Sequence, residues 1–236
     1  MQKLPISVCI IAKNAEKTIE NTLSSIKNIV QEIILIDTGS EDLTALIGRK
    51  FEAKVYSHLW KYDFSEARNE AFKYVTKPWI LYLDSDEELV IKDFYTFEKK
   101  LLETTKTAFY VNIENILNSN ETSNLYRCRF LKTESNYLYS GRIHETPNIE
   151  PDKVEYLPSE LIYIKHYGYN TSFASPEEKS KRNVEIIKRD LDYKNIDSWE
   201  KVYSAIALVK ELNLDSLIEE KLELLVGLRI PLSKLR

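Results

Sequence analysis

Trp79-Ile80-Leu81-Tyr82-Leu83-Asp84-Ser85-Asp86-Glu87-Glu88-Leu89 decides how the chain is read: an apolar run stops in four carboxylates within five residues, Asp84, Asp86, Glu87 and Glu88. A buried strand that ends in two aspartates one residue apart sets oxygen ligands at the rim of a sheet. There they can hold a divalent cation, or a ribose and a cation together. Asp84 and Asp86 would repel each other and raise one another's pKa unless a cation or a donor compensates. Glu87 and Glu88 read as the start of the following loop.

The residues upstream supply a sheet for that strand. Ile6–Ala12 is a continuous β-prone run ending at Lys13-Asn14, and Glu32–Asp37 is a second one, closed by Thr38-Gly39-Ser40. Continuous apolar runs of this kind suit strands buried on both faces. Between them Ile19, Leu23, Ile26 and Val30 recur at near-helical spacing, and Leu43, Leu46, Ile47 and Phe51 follow the second run in the same way. Lys54–Ser57 is a short strand. Phe64–Val75 is a helix with Asp63 or Ser65 as its cap, broken by Lys77-Pro78. Alternating strands and helices predict a mainly parallel sheet with right-handed crossovers, so residues 1–90 form a Rossmann-like α/β half.

Beyond residue 90 the pattern changes. A helix is expected over Asp93–Thr104, then strands at Ala108–Ile113, Asn124–Lys132, Tyr137–Ile143 and Leu161–Tyr167. Asn118–Ser123 is a polar, hairpin-like connection between two of them. From Ser175-Pro176 the pattern is helical again, with further helices over Ser198–Leu212 and Asp215–Val226. The expected division is residues 1–172 for one α/β domain, its second half spanning 91–172, and 173–236 for a C-terminal helical extension.

With 236 residues, 43% hydrophobic and 30% charged, the chain can bury a large core. Its net charge of −4 carries no block of like charge, which argues against nucleic acid as the partner. No apolar run approaches the roughly 18 residues of a membrane span, and none resembles a signal peptide. The two cysteines, Cys9 and Cys128, lie in apolar runs and suit a reduced, cytoplasmic setting.

Three strand ends carry polar residues: Asn14, Asp37, and Asp84 with Asp86. Ligands of open α/β sheets sit beyond such ends, although Asn14 or Asp37 alone could equally be a helix cap. Arg68-Asn69 precedes the acidic strand, either as a solvated helix face or with Arg68 turned into the cleft to bind a phosphate or a base edge. In Gly141–Pro147 the neighbours His144 and Glu145 would point to opposite sides, so one of them faces a given site. His166 ends a strand before Gly168, and His58 reads as structural.

In their order these segments resemble inverting glycosyltransferases of family 2 with the GT-A fold. The matching segments are Ser7–Asn14, Glu32–Ser40, Asp63–Asn69, Leu83–Glu87, Gly141–Pro147 and His166–Asn170. The last two are similar to a branch with the peptide S-glycosyltransferases of bacteriocins and the sugar transferases of lipopolysaccharide core. The resemblance implies transfer of a hexose from a nucleotide sugar, UDP-glucose or a relative, to a peptide Cys or Ser or to a glycan hydroxyl, with Mg²⁺ or Mn²⁺ on the diphosphate. By position it implies Asp37 on the uracil, Ala12 and Asn14 bordering the nucleotide, and Arg68 and Asn69 near base and ribose. It further implies Asp84 at the ribose, Asp86 and His166 on the metal, and Glu145 as base with His144 positioning it or touching the diphosphate. Ala15 departs from the family pattern, which often carries an acid there. The branch also often has a longer helical-repeat C-terminus, and oligomerisation is left open. Two rivals remain at this point: a binding module without turnover, and a haloacid-dehalogenase-like phosphatase built on Asp84.

Overall fold

The computed structural model of the chain describes residues 2–117, 121–168, 181–183, 185–186 and 189. Its first half alternates as expected: β1 (Leu4–Ala12), α1 (Ile19–Ile26), β2 (Val30–Asp37), α2 (Thr44–Lys50), β3 (Lys54–Ser57), α3 (Phe64–Phe72) and β4 (Trp79–Asp84). Then come β5 (Glu87–Ile91), α4 (Phe94–Glu103), β6 (Ala108–Ile116), β7 (Thr122–Lys132), β8 (Tyr139–Ser140), β9 (Thr146–Pro147), β10 (Val154–Tyr156) and β11 (Ile162–His166). The helices start where side chains satisfy the free amides of the first turn. Asp63 accepts from Glu66 N at 2.9 Å and Asp93 from Thr96 N at 3.0 Å.

One sheet runs through both halves in the order β3-β2-β1-β4-β7-β6-β11-β5, with β10 also on β6. β3, β2, β1 and β4 are parallel, whereas β7 is antiparallel to β4 and to β6. Its two faces are packed. Along β4, Trp79, Leu81 and Leu83 enter the cluster that holds α1 and α4, while Ile80 and Tyr82 enter the one against α3 and Tyr139. Period-2 alternation between two apolar faces is why this strand reads as an unbroken hydrophobic run. Burial pushes both cysteine thiols up, that of Cys128 to about 12, so neither offers a thiolate.

A buried carboxylate fastens the other end of the sheet. Glu32 on β2 accepts from Ser7 Oγ on β1, from Thr76 N and Oγ1 at 2.9 Å each, and from Lys54 Nζ on β3 at 2.8 Å. Burial alone would raise its pKa, but these donors outweigh burial and bring it down from 4.5 to about 2. That depression is equivalent to about 3 kcal/mol of stability. The contribution is complete above pH 4.5 and is lost as pH falls toward 2. Glu32→Gln is therefore expected to lower the unfolding free energy by about 3 kcal/mol at pH 7. Urea denaturation from pH 7 to pH 2 should show that gap closing below pH 4.5; a constant gap would reject the ionised carboxylate as its source.

Several expectations are corrected. Val30 opens β2 instead of closing α1. Of the apolar set on α2, Leu43 and Leu46 are 56% and 48% exposed, and only Ile47 and Phe51 reach the core. α3 stops at Phe72, with Tyr74 and Val75 packing from the turn beyond it. Glu87-Glu88 opens β5, because β11 pairs with it antiparallel from Ile162↔Ile91 to His166↔Glu87. Only Tyr139-Ser140 of the 137–143 stretch is strand, and β10 was not foreseen. The helices expected over 198–212 and 215–226, and the boundary at 172, lie outside the described residues. Among the described residues no helix is long and apolar enough to cross a membrane.

Candidate active site

The register of β1 brings the polar strand ends together: Ala12 lies opposite Asp37 and Ile11 opposite Asp84. Asp37 is buried, and its Oδ1 accepts from Gly39 N at 3.2 Å and Ser40 N at 2.8 Å. That turn needs Gly39, whose φ of +100° is rarely open to a side chain. The following loop is laced to the end of β1. Asn14 donates its N–H to Ser40 Oγ and accepts from Glu41 N, and Thr38 donates to Ala12 O. Ala15 is buried in the apolar cluster and donates its N–H to Thr44 Oγ1 at 2.7 Å.

Arg68 is no solvated helix residue. It is 7% exposed, with its guanidinium 5.3 and 5.6 Å from the ring centroids of Tyr82 and Tyr139. Its Nε donates to Glu145 Oε1 at 2.6 Å and its Nη2 to Asp84 Oδ1 at 2.9 Å. Burial alone would raise the Asp84 carboxyl, but Arg68 and Arg129 hold it well below the usual range. Asn69 has a different task. Its amide donates to Tyr139 O and accepts from Tyr139 N, both at 2.9 Å, and so clamps β8 onto α3.

Glu145 sits in the loop between β8 and β9, after Gly141 at φ +95° and His144 at φ +57°. The left-handed turn at His144 leaves that side chain exposed while Glu145 turns inward to Arg68. The loop is anchored by Phe64 N, which donates to Arg142 O at 2.9 Å. Two residues further along the chain reach the same place: the guanidinium of Arg182 lies 5.1 Å from the Phe64 ring, and that of Arg189 lies 3.9 Å from the Tyr62 ring.

Asp86 occupies the tight turn between β4 and β5, with its Oδ1 3.7 Å from His166 Nε2. The tautomer of His166 follows from its neighbours. Asn115 Nδ2 donates to Ser123 O and Oγ, so Asn115 Oδ1 accepts from His166 Nδ1 at 2.7 Å. With Nδ1 committed to Asn115, Nε2 is the ring nitrogen turned toward Asp86, the arrangement of histidines that ligate metals. Gly168 lies directly over the pair; a Cβ there would come within 2.3 Å of His166 Nε2 and 2.7 Å of Asp86 Oδ2. One carboxylate and one imidazole, 3.7 Å apart beside a glycine, are donors that fit a divalent cation. Among the described residues no group of three His, Cys, Asp or Glu side chains could hold one, so this pair by itself is an incomplete coordination shell.

Sequence reasoning missed three residues of this site. Glu87 is 1% exposed and accepts from Asp84 N at 2.8 Å. Burial pushes its carboxyl up, while Arg129 Nη2, in contact with Glu87 Oε1, pulls it down. Asn115 orients His166. A buried polar residue within an apolar strand was the available sign for both Arg129, ahead of Phe130-Leu131, and Asn115, beside Ile113 and Ile116.

An open, mainly parallel α/β sheet that gathers acids at the carboxyl ends of its strands is the architecture of nucleotide-handling proteins. Within that class the chain belongs to glycosyl transferase family 2, whose model matches residues 7–157. A TPR repeat-containing protein of Synechococcus elongatus is 32% identical over 172 residues, 70% of this chain and 42% of that protein. The prophage-derived glycosyltransferase SunS of Bacillus subtilis is 27% identical over 197 residues, 79% of this chain and 45% of SunS. The chain thus spans less than half the length of these curated relatives. Among solved structures, residues 1–349 of S. aureus TarS superpose with a TM-score of 0.58 at 15% identity, covering 96% of this chain and 79% of that one. The same TarS fragment in complex with UDP gives a TM-score of 0.53 at 14% identity, over 99% and 77% of the two chains. These likenesses establish a GT-A fold. Family membership also removes the phosphatase alternative, which needs Asp84 as a nucleophile that the two arginines instead hold.

Proposed function

We propose that this chain catalyses inverting, metal-dependent transfer of a hexose from a UDP sugar to a thiol or hydroxyl of a peptide or glycan. The observation that carries it is the Asp86–His166 pair, with its tautomer set by Asn115, beside the Asp84–Arg68–Glu145 ion network. Asp86 and His166 are the residues to hold Mg²⁺ or Mn²⁺, and the departing diphosphate would complete the coordination. When bound, such a cation offsets the negative charge that develops on the leaving nucleotide.

The chain's own residues supply the rest. Asp37, its Oδ1 held by the Gly39 and Ser40 amides, meets the uracil, and Ala12 and Asn14 shape the loop around the nucleotide. Asp84 stands on the ribose side. Glu145, with Oε1 fixed by Arg68, offers Oε2 to take the proton of the acceptor. The acceptor would attack the anomeric carbon opposite the diphosphate, forming the new bond as the sugar–phosphate bond breaks and so inverting the centre. A thiol of pKa about 8.5 needs less help from Glu145 than an alcohol does. We place the reaction in the cytoplasm, a setting supported by the two reduced, buried cysteines.

The test is incubation with UDP sugars and Mn²⁺ or Mg²⁺, with and without cysteine-containing peptides and glycans, read by mass spectrometry. No transfer, no hydrolysis and no metal-dependent UDP binding would sink the proposal. Gly168→Ala gives a finer check. It should weaken metal-dependent UDP binding while leaving metal-free binding unchanged, because its Cβ would come within 2.3 Å of His166 Nε2 and 2.7 Å of Asp86 Oδ2.

A further inference from the structure

Glu87, Arg129, Asp84, Arg68 and Glu145 form an unbroken file of alternating charge across five separate pieces of chain. Glu87 on β5 meets Arg129 on β7, and Arg129 Nη2 also lies 3.4 Å from Asp84 Oδ2 on β4. Asp84 Oδ1 is bonded to Arg68 on α3, and Arg68 to Glu145 on the β8–β9 loop. Glu87 closes a second contact, accepting from Asp84 N with its other oxygen.

Arg129 reaches this position through a defect in the sheet. Phe109 pairs with Phe130 and Tyr110 with Cys128, so Arg129 is the extra residue of a β-bulge. The pairing of β7 with β4 ends at the same point, at Leu81↔Phe130. Bulges re-aim a side chain and recur next to active sites. The arrangement is poorly explained by stability. Arg129 Nε and Arg68 Nη1 are buried donors without a hydrogen-bond partner among the described residues. Unsatisfied donors are destabilising, and apolar residues commonly replace buried ion pairs at no cost to the fold.

We propose that Arg129 and Glu87 are positioning residues of the transfer reaction, acting through Asp84 and Arg68 to fix the turn that carries Asp86 and the carboxylate of Glu145. The proposal rests on the glycosyltransferase reading. Neither residue needs to touch substrate. Arg129 spans Glu87 and Asp84, which fixes the acidic turn from the β7 side. Arg68 gives Nη2 to Asp84 and Nε to Glu145, so one planar guanidinium ties the two carboxylates together.

The experiment uses the full chain and whichever UDP sugar it turns over, with rates expressed per folded molecule. Arg129→Gln is expected to lower kcat about 10- to 100-fold, the range typical of residues that orient the groups doing the chemistry. The donor KM should move less than kcat. Arg129→Lys should recover part of the loss, since both contacts run through the one nitrogen Nη2 and an ammonium keeps that charge without the rigid plane of the guanidinium. Because Arg129→Gln leaves Glu87 buried and unpaired, the double variant Glu87→Gln/Arg129→Gln guards against simple misfolding. It should regain the wild-type melting temperature yet keep the low kcat. A double variant that regains both, or an Arg129→Gln enzyme as fast as wild type, overturns the inference while the glycosyltransferase reading stands. A wild-type chain that neither transfers nor hydrolyses UDP sugar removes both.

Discussion

Glu145→Gln should lower kcat for transfer to a hydroxyl acceptor by about 10²- to 10⁴-fold, the usual worth of a positioned general base. The amide keeps the shape of the carboxylate, and its oxygen can still accept from Arg68 Nε, which lies 2.6 Å from Oε1 in the wild-type chain. Packing of the β8–β9 loop should therefore survive, along with UDP affinity, since Glu145 is assigned to the acceptor side. The check pairs steady-state rates with UDP titration by calorimetry. Unchanged kcat would remove Glu145 as the base, and lost UDP binding would show that it shapes the donor site instead. With a thiol acceptor the loss should shrink as pH rises past about 8.5, because the thiolate then forms without help.

Asp86→Ala should abolish the metal-dependent part of UDP binding. Wild-type chain should bind UDP more tightly with Mn²⁺ than with EDTA, and the variant should bind equally under both conditions. Among the described residues two donors meet at this point, Asp86 and His166. Loss of either breaks that pair, so His166→Ala should behave alike. A cation on a leaving diphosphate contributes several kcal/mol, so kcat should fall by about 10³-fold or more. A variant that kept the Mn²⁺ effect would place the cation elsewhere. Asn115→Leu separates position from ligation: Nδ1 of His166 would lose its acceptor, and metal affinity should drop about 10- to 100-fold without vanishing.

Much of the first half was legible because its determinants are local. β1, β2 and β4 are runs of apolar residues that neighbouring helices bury on both faces, and α3 and α4 carry their own aspartate caps. The acids at the strand ends were visible for the same reason, since an apolar run ending in carboxylates needs no distant partner to be noticed. The second half was less legible. β5 exists because β11 pairs with it, and those strands are joined through His166↔Glu87 across most of the second half. A carboxylate expected in a loop was thereby drawn into a buried strand.

By itself, then, the sequence determined an α/β sheet with Asp37, Asp84 and Asp86 along one rim, because periodicity and strand-end chemistry are properties of short segments. Only the tertiary structure decided which side chains meet there. The left-handed backbone at His144 turned Glu145 inward and left its neighbour exposed. The bulge on β7 aimed Arg129 at Asp84 and Glu87, and the pairing of β11 with β6 put Asn115 against His166. Each is a non-local pairing or a single backbone angle, set by the whole sheet and written in no short stretch of sequence.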